Sequence, residues 1–326
     1  MQNNQSPKLW LFIILSISQL FLLCHFFYAR QELLSTKITA QNHEDIYSIN
    51  YGTVALCSVV KRESAYLDEW VDYYLGIGID RIFIYDNSDT FVLEDWPETS
   101  NHSGSVKIVS FPGDKVQRIV YARCAKIVRQ LNFTWVLFAD VDEFLVLKRH
   151  KSVGHFLSEY CEDGALSINW RVFGTGGHKV YKPIPVLKRF LFRLPDDDPW
   201  NLFVKTFVRS SALLVLPKFY RSPHLFPLRA NLSHRDTNGV IVKSHLHMGP
   251  TDIAAIYHYR FKSYEEYYEN KVPKGSVFYG HPGSEAEQTW KPLPNGSVFD
   301  DLAWKTLLSN EPRYNYFDDA VKFGSQ

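Results

Sequence analysis

Cysteine is scarce, with four residues in 326, and Cys24 is inside the one long apolar run of the chain. That leaves Cys57, Cys124 and Cys161, an odd number and too few for a disulfide scaffold. At most one internal bridge can form. Cys57 and Cys124 both sit inside apolar patterns, so buried free thiols are the expectation. An excess of either charge is also missing: 36 basic side chains face 35 acidic ones. A nucleic-acid binder needs a basic surplus to displace counterions, so that class is excluded. Internal repeats and long low-complexity tracts are lacking too. Aromatic residues, by contrast, make up 15% of the chain and can fill a large core.

Leu9 to Tyr28 is mostly Leu, Ile, Phe and Trp, a length that spans a bilayer. A cleaved signal peptide is the competing reading, but the run is long for one and no small-residue cleavage site follows. The expected layout is a cytoplasmic tail at 1–8, an anchor at 9–28, a polar stem at 29–50, a body at 51–272 and a C-terminal extension at 273–326. Four N-x-S/T sequons, at Asn101, Asn132, Asn231 and Asn295, follow the anchor and point to a lumenal body of single-pass type II orientation.

The body opens with a strand-length apolar run, Thr53 to Val60. A helix follows, with Ser64 as N-cap and Gly76 and Gly78 as its end, and then a second buried strand, Arg81 to Tyr85. The pattern repeats with a strand at Val106 to Phe111, a helix at Lys115 to Leu131 and a strand at Trp135 to Ala139. Such alternation predicts an α/β fold with a mainly parallel, Rossmann-like sheet flanked by helices. Chemistry is then expected where strands end: Lys61-Arg62-Glu63, Asp86-Asn87-Ser88-Asp89 and Asp140-Val141-Asp142-Glu143. Beyond Ala165 strand and loop dominate, and Leu302 to Leu308 reads as a last helix.

The D-x-D at Asp140 and Asp142 follows an apolar strand, and a period of two would aim both carboxylates to one side. Together they can hold Mn²⁺ or Mg²⁺ with positions open for phosphate oxygens, whereas the plain alternative is a solvated acidic turn. Removing one of two crowded carboxylates should relieve repulsion.

Six blocks occur in order: Tyr66-Leu67-x-Glu69-Trp70; Gly78-Ile79-Asp80-Arg81-x-Phe83-Ile84-Tyr85-Asp86-Asn87; Trp135 to Phe144; Asn169-Trp170-x-x-Phe173-Gly174-x-x-Gly177-His178; Val204-Lys205-x-x-Val208-Arg209; and His258-Tyr259-Arg260-x-Lys262-Ser263. This series, from about Thr53 to about Lys271, resembles glycosyltransferase family 92 and its family 2-like relatives. The first strand ends in Lys61-Arg62-Glu63 where relatives usually read Lys-Asn-Glu.

The resemblance implies a GT-A fold over 51–272, and a UDP-sugar donor, UDP-galactose in known members. It also implies Mn²⁺, inversion at the anomeric carbon, a glycan acceptor and a Golgi membrane setting. Lys61, Glu63, Asp86 and Asp140 would then bind the donor, Asp86 at the uridine and Asp140 at ribose and metal. Asp142 and His258 would complete the metal site.

For Asp86 an Asx-turn cap is the alternative. For His258 the rival ligands are His245 and His247, two apart on one face of a strand-like segment. The base is not located by sequence: Glu143, Asp198 in the run Asp196-Asp197-Asp198, and Asp236 are candidates. Gly174 to His178 reads as a loop that lets backbone approach a ligand, and Trp170 as a sugar-stacking or core residue. Two other functions fit the same residues: a phosphodiesterase with two ions on Asp140, Asp142, His245 and His247, and a non-catalytic carbohydrate-binding membrane protein.

Overall fold

The computed structural model describes residues 51–161, 164–275 and 292–317. The expected tail, anchor and stem lie outside the described residues. Among the described residues, no helix is long and apolar enough to cross a membrane.

Among the described residues, eleven strands and four principal helices follow in chain order: β1 (Val54–Val60), α1 (Leu67–Gly76), β2 (Arg81–Asp86), β3 (Val106–Ser110), α2 (Gln117–Gln130), β4 (Trp135–Phe138), β5 (Glu143–Leu147), α3 (Val153–Tyr160), β6 (Ala165–Val172), β7 (Phe192–Arg193), β8 (Val204–Arg209), β9 (His234–Arg235), β10 (Ala254–His258), β11 (Val298–Phe299) and α4 (Leu302–Asn310). The main sheet runs β3-β2-β1-β4-β8-β6-β10-β5, with β9 beside β6, and β11 pairs β7 apart from it.

The expected parallel sheet covers only part of this. β3, β2, β1 and β4 are mutually parallel. β8 then runs antiparallel to both β4 and β6, and β5 antiparallel to β10. The fold is therefore mixed α/β. The parallel half is the stretch where helices alternate with strands and supply the crossovers; beyond β4 that alternation fades and antiparallel neighbours need none.

β1 is buried along its whole length because both its faces are covered. Val54, Leu56 and Val60 enter the core beneath α1, while Ala55, Cys57 and Val59 face α2. On that second face the structure corrects the cysteine expectation: Cys57 and Cys124 form a disulfide, with Cα atoms 6.5 Å apart. Two apolar periodicities, one of strand and one of helix, carry both cysteines to one contact across 67 residues of sequence. Cys161 is buried and takes no part in the bridge.

The helix after β1 starts differently from the expectation. Ser64–Tyr66 is a 3-10 turn, and α1 begins at Leu67 without a side-chain cap. Its Trp70, Tyr73 and Tyr74 instead reach β5. Trp70 Nε1 and Tyr74 Oη donate to the Glu143 carbonyl, and Tyr73 Oη to that of Leu145. These three bonds fix the strand that leaves the acidic turn.

The described part of the expected C-terminal extension belongs to the same compact unit. Ala303, Trp304 and Leu307 of α4 are buried in the core shared with α1, and Arg313 and Tyr314 both bond Asp72.

Candidate functional site

β4 ends at Phe138, and Glu143 N donates to Asp140 O at 3.1 Å, closing a tight turn over Asp140 to Glu143. The turn breaks the period of two, and the two aspartates take different partners. Asp140 Oδ2 accepts from Lys205 Nζ at 2.9 Å and Oδ1 from Gln117 at 3.2 Å. Asp142 turns to the opposite group. Its Oδ2 is 2.5 Å from Lys271 Nζ and 3.7 Å from Lys262 Nζ, and its Oδ1 is 3.4 Å from His258 Nε2.

Burial and neighbouring charges together set the ionisation states. Burial opposes ionisation of Asp142, but Lys271, His258 and Lys262 hold its carboxyl well below the usual range. Burial likewise works against Asp140, and Lys205 holds it low. His258 is pushed down to about 4 by burial in spite of Asp142, so its ring is neutral at pH 7. Burial also lowers Lys271 to about 8.

Burial raises Glu143 to about 8. Its side chain is sealed from solvent, with Oε2 accepting from the Asp140 amide at 2.9 Å and lying 3.1 Å from Lys205 Nζ. That corrects its expected role as base, because an acceptor hydroxyl cannot reach a carboxyl with no exposed surface. Glu143 instead positions the turn.

The donor chemistry fits a Mn²⁺-type ion in part. Asp142 supplies an ionised carboxylate and His258 a neutral imidazole whose buried Nδ1 has no hydrogen-bond partner. Asp140 departs from the expected set. Among the described residues, Asp140, Asp142 and His258 do not bring three ligand atoms within 4.8 Å of one another.

The rival histidines separate as well: His247 Nε2 is 2.8 Å from Asp236 Oδ2, while the exposed His245 packs against the rings of Phe203 and His224. The four residues expected for a two-ion phosphodiesterase therefore hold different partners.

Glu63, after β1, is buried and paired with Lys274 at 2.6 Å; Lys61, two residues before it, is half-buried. Asp86 is fully buried at the end of β2, where Oδ1 accepts from Ser88 N and Oδ2 from Leu93 N. Its carboxylate shapes the loop after β2, as the Asx-turn alternative has it. Asp198 caps the short 3-10 helix Pro199–Leu202 by accepting from Trp200 N at 2.9 Å. Asp236 accepts from Asn238 N and Val240 N besides pairing with His247. Both carboxylates thus serve turns, which is the commoner fate of loop aspartates.

Trp170 is a core residue, its ring 4.2 Å from that of His258 and 4.9 Å from that of Phe203. The glycine loop approaches protein rather than ligand. A Cβ at Gly174 would stand 2.2 Å from the Asn295 carbonyl carbon, and the amides of Thr175 and Gly176 donate to the carbonyls of Pro294 and Asn295.

Four lysines carry no expected role from sequence, although Lys205 and Lys262 stand in the motif blocks. Lys205 is fully buried in β8, Lys262 nearly so, and Lys271 and Lys274 are largely covered. A lone charge inside the apolar strand V-K-T-F-V is a signal, since such a group is buried only when paired. Lys271 closes a π-helical turn, Glu266–Lys271, a geometry that sequence does not announce.

Comparison with known proteins gives a consistent family. The sequence model of glycosyltransferase family 92 matches residues 53–291. A family 92 protein of Oryza sativa subsp. japonica is 27% identical over 186 residues, which are 56% of this chain and 31% of that protein. One of Arabidopsis thaliana is 23% identical over 226 residues, 66% of this chain and 36% of its own length. The chain thus spans about a third of the length of these relatives. Among solved structures, S. aureus TarS 1–349 aligns with a TM-score of 0.38 at 16% identity, covering 67% of this chain and 62% of that one. The same protein with UDP-GlcNAc aligns at 0.34 and 15%, covering 49% and 46%. With a match over most of the described domain, the chain belongs to glycosyltransferase family 92.

Proposed function

We propose that the protein is a metal-dependent, inverting glycosyltransferase of GT-A type that moves a hexose, galactose in the family reading, from a UDP-sugar to a glycan acceptor. The observation that carries this is the pairing of Asp142 and His258 with a ring of lysines at one sheet edge. A nucleotide diphosphate is polyanionic, and Lys262, Lys271 and Lys274 offer it charge-assisted hydrogen bonds in a partly desolvated place. Asp142 and Glu63 hold these ammonium groups in position.

Asp142 and the neutral His258 would hold Mn²⁺ or Mg²⁺. When bound, the ion would offset charge developing on the departing diphosphate. Asp140, fixed by Lys205 and Gln117 but over a third exposed, is free to accept from a donor hydroxyl. Asp86 would act on the nucleoside through the loop it organises. A screen of UDP-sugars with the full chain, reading hydrolysis and transfer with Mn²⁺ present and absent, tests the reading. No turnover with any UDP-sugar under either condition would sink it.

We infer further that the body is lumenal and the chain type II, in a Golgi membrane. The apolar run 9–28 supports an anchor, and Asn101, Asn132 and Asn231 are exposed. An N-glycan-removing enzyme should increase the gel mobility of the protein made in cells that glycosylate controls; unchanged mobility would count against that orientation.

A further inference from the structure

A second ligand set lies apart from the acidic turn, on α3 and the loop before it. His155 and Glu159 are four residues apart and so share one face of the helix. His150 approaches from the loop after β5. One ligand atom from each of the three lies within 4.8 Å of the others, the closest approach being His150 Nε2 to Glu159 Oε2 at 2.8 Å. The His150 side chain is only 6% exposed and stands edge-on to Phe156 and Tyr160. It is therefore a fixed ligand, while His155 and Glu159 are exposed and can rotate.

We propose that His150, His155 and Glu159 form a Zn²⁺ site. Zinc binds imidazole nitrogen at about 2.0–2.1 Å and carboxylate oxygen at about 2.0–2.2 Å in a tetrahedron, which sets neighbouring ligand atoms about 3.3 Å apart. Binding therefore requires the exposed His155 and Glu159 side chains to draw in from a spread of at most 4.8 Å. Two imidazoles and one carboxylate select zinc over manganese or magnesium, which prefer oxygen. Three protein ligands leave one position for water.

The site would pin the loop after β5 to α3. It does so beside Tyr51, whose ring stacks on His155 at 5.0 Å just before β1 begins. One consequence is practical: a chelator acts on two metal sites of different hardness, so its effect on activity alone cannot be assigned to Asp142.

The test uses the full chain stripped of metal. Zn²⁺ is titrated against a chromophoric chelator, and Co²⁺ is followed by its visible absorption. A saturable Zn²⁺ site with tetrahedral Co²⁺ bands is expected in the parent and is expected to persist in Asp142→Asn. In His155→Ala and Glu159→Gln the binding should weaken by at least the on the order of 10- to 100-fold typical of losing an outer-shell partner. Melts without metal check that these two exposed-site variants fold. Equal binding by parent and both variants, or no saturable binding by the parent, would reduce the cluster to a surface ion pair. Loss of the bands in Asp142→Asn with both α3 variants unaffected would place the ion elsewhere and overturn the proposal equally.

Discussion

Lys205 Nζ sits 2.9 Å from Asp140 Oδ2 with no surface of its own exposed, so the first aspartate of the D-x-D motif is held by a buried ammonium. The same nitrogen is 3.1 Å from Glu143 Oε2. Burial works against the charge on Lys205, yet Asp140 and Glu143 keep its ammonium well above its usual range. One cation from β8 therefore organises both ends of the turn after β4.

Lys205→Met should expose this dependence. Methionine fills similar space but leaves Asp140 and Glu143 without their partner, at a cost of about 1 to 3 kcal/mol for unsatisfied buried polar groups. A lowered melting temperature is expected, together with a weaker melt shift on adding UDP and Mn²⁺. If both shifts match the parent, Lys205 is only a tolerated charge and Asp140 needs no positioning.

Asp142→Asn should abolish the Mn²⁺ dependence of UDP binding, because the amide keeps the shape and loses the charge. From sequence, removing one of two neighbouring carboxylates promises relief of repulsion. The structure reverses that sign, since Lys271 and Lys262 converge on Asp142 and would be left without their shared counterion. The apo melting temperature should therefore fall. A ligand that binds only the folded form raises the melting temperature by mass action, so melts with and without Mn²⁺ and UDP separate the two effects. A variant more stable than the parent would return the argument to simple carboxylate repulsion.

The first half of the fold was legible because its strands and helices alternate and each carries its own apolar period. The strand ends at Val60, Asp86 and Phe138 fall within a residue or so of the expected ones. What sequence hid was partnership. Turn chemistry offers the bond from Ser88 to Asp86, but nothing local to Asp86 names Leu93, and nothing near Asp142 names Lys271, 129 residues away. The disulfide was missed for a related reason, since apolar surroundings suit a buried thiol and a buried bridge equally well.

That bridge, Cys57 to Cys124, makes a separate prediction. Tying β1 to α2 across 67 residues restricts the unfolded chain, and a loop of this size is worth about 4 kcal/mol in the chain-entropy account. The double variant Cys57→Ala, Cys124→Ala should melt well below the parent, and reductant should lower the parent but not the variant. Identical melts with and without reductant would show that the two sulfurs are not joined in solution.

Glu69 gives the fold a pH dependence of its own. Its carboxyl is buried beneath the Val186–Arg189 turn, where its two oxygens accept from Val186 N and Leu187 N at 2.7 Å each. Burial pushes it up to about 7, with the two amides and Arg189 pulling the other way. A carboxyl raised in the fold binds its proton more tightly there than in the open chain. Its contribution to stability is then fully present below the ordinary carboxyl range and is lost as pH rises through about 7. The whole span corresponds to about 3 kcal/mol. Glu69→Gln removes the titration while turning one amide nitrogen toward a backbone N–H, so the variant should be less stable than the parent at pH 5. The gap should narrow as pH rises toward 8, because only the parent carries the Glu69 titration, all other titrating groups being common to both. Urea unfolding of both proteins from pH 5 to 8 reads this directly. A gap that widens with pH would mean that the two backbone amides keep Glu69 ionised throughout, and that hydrogen bonding outweighs burial at this position.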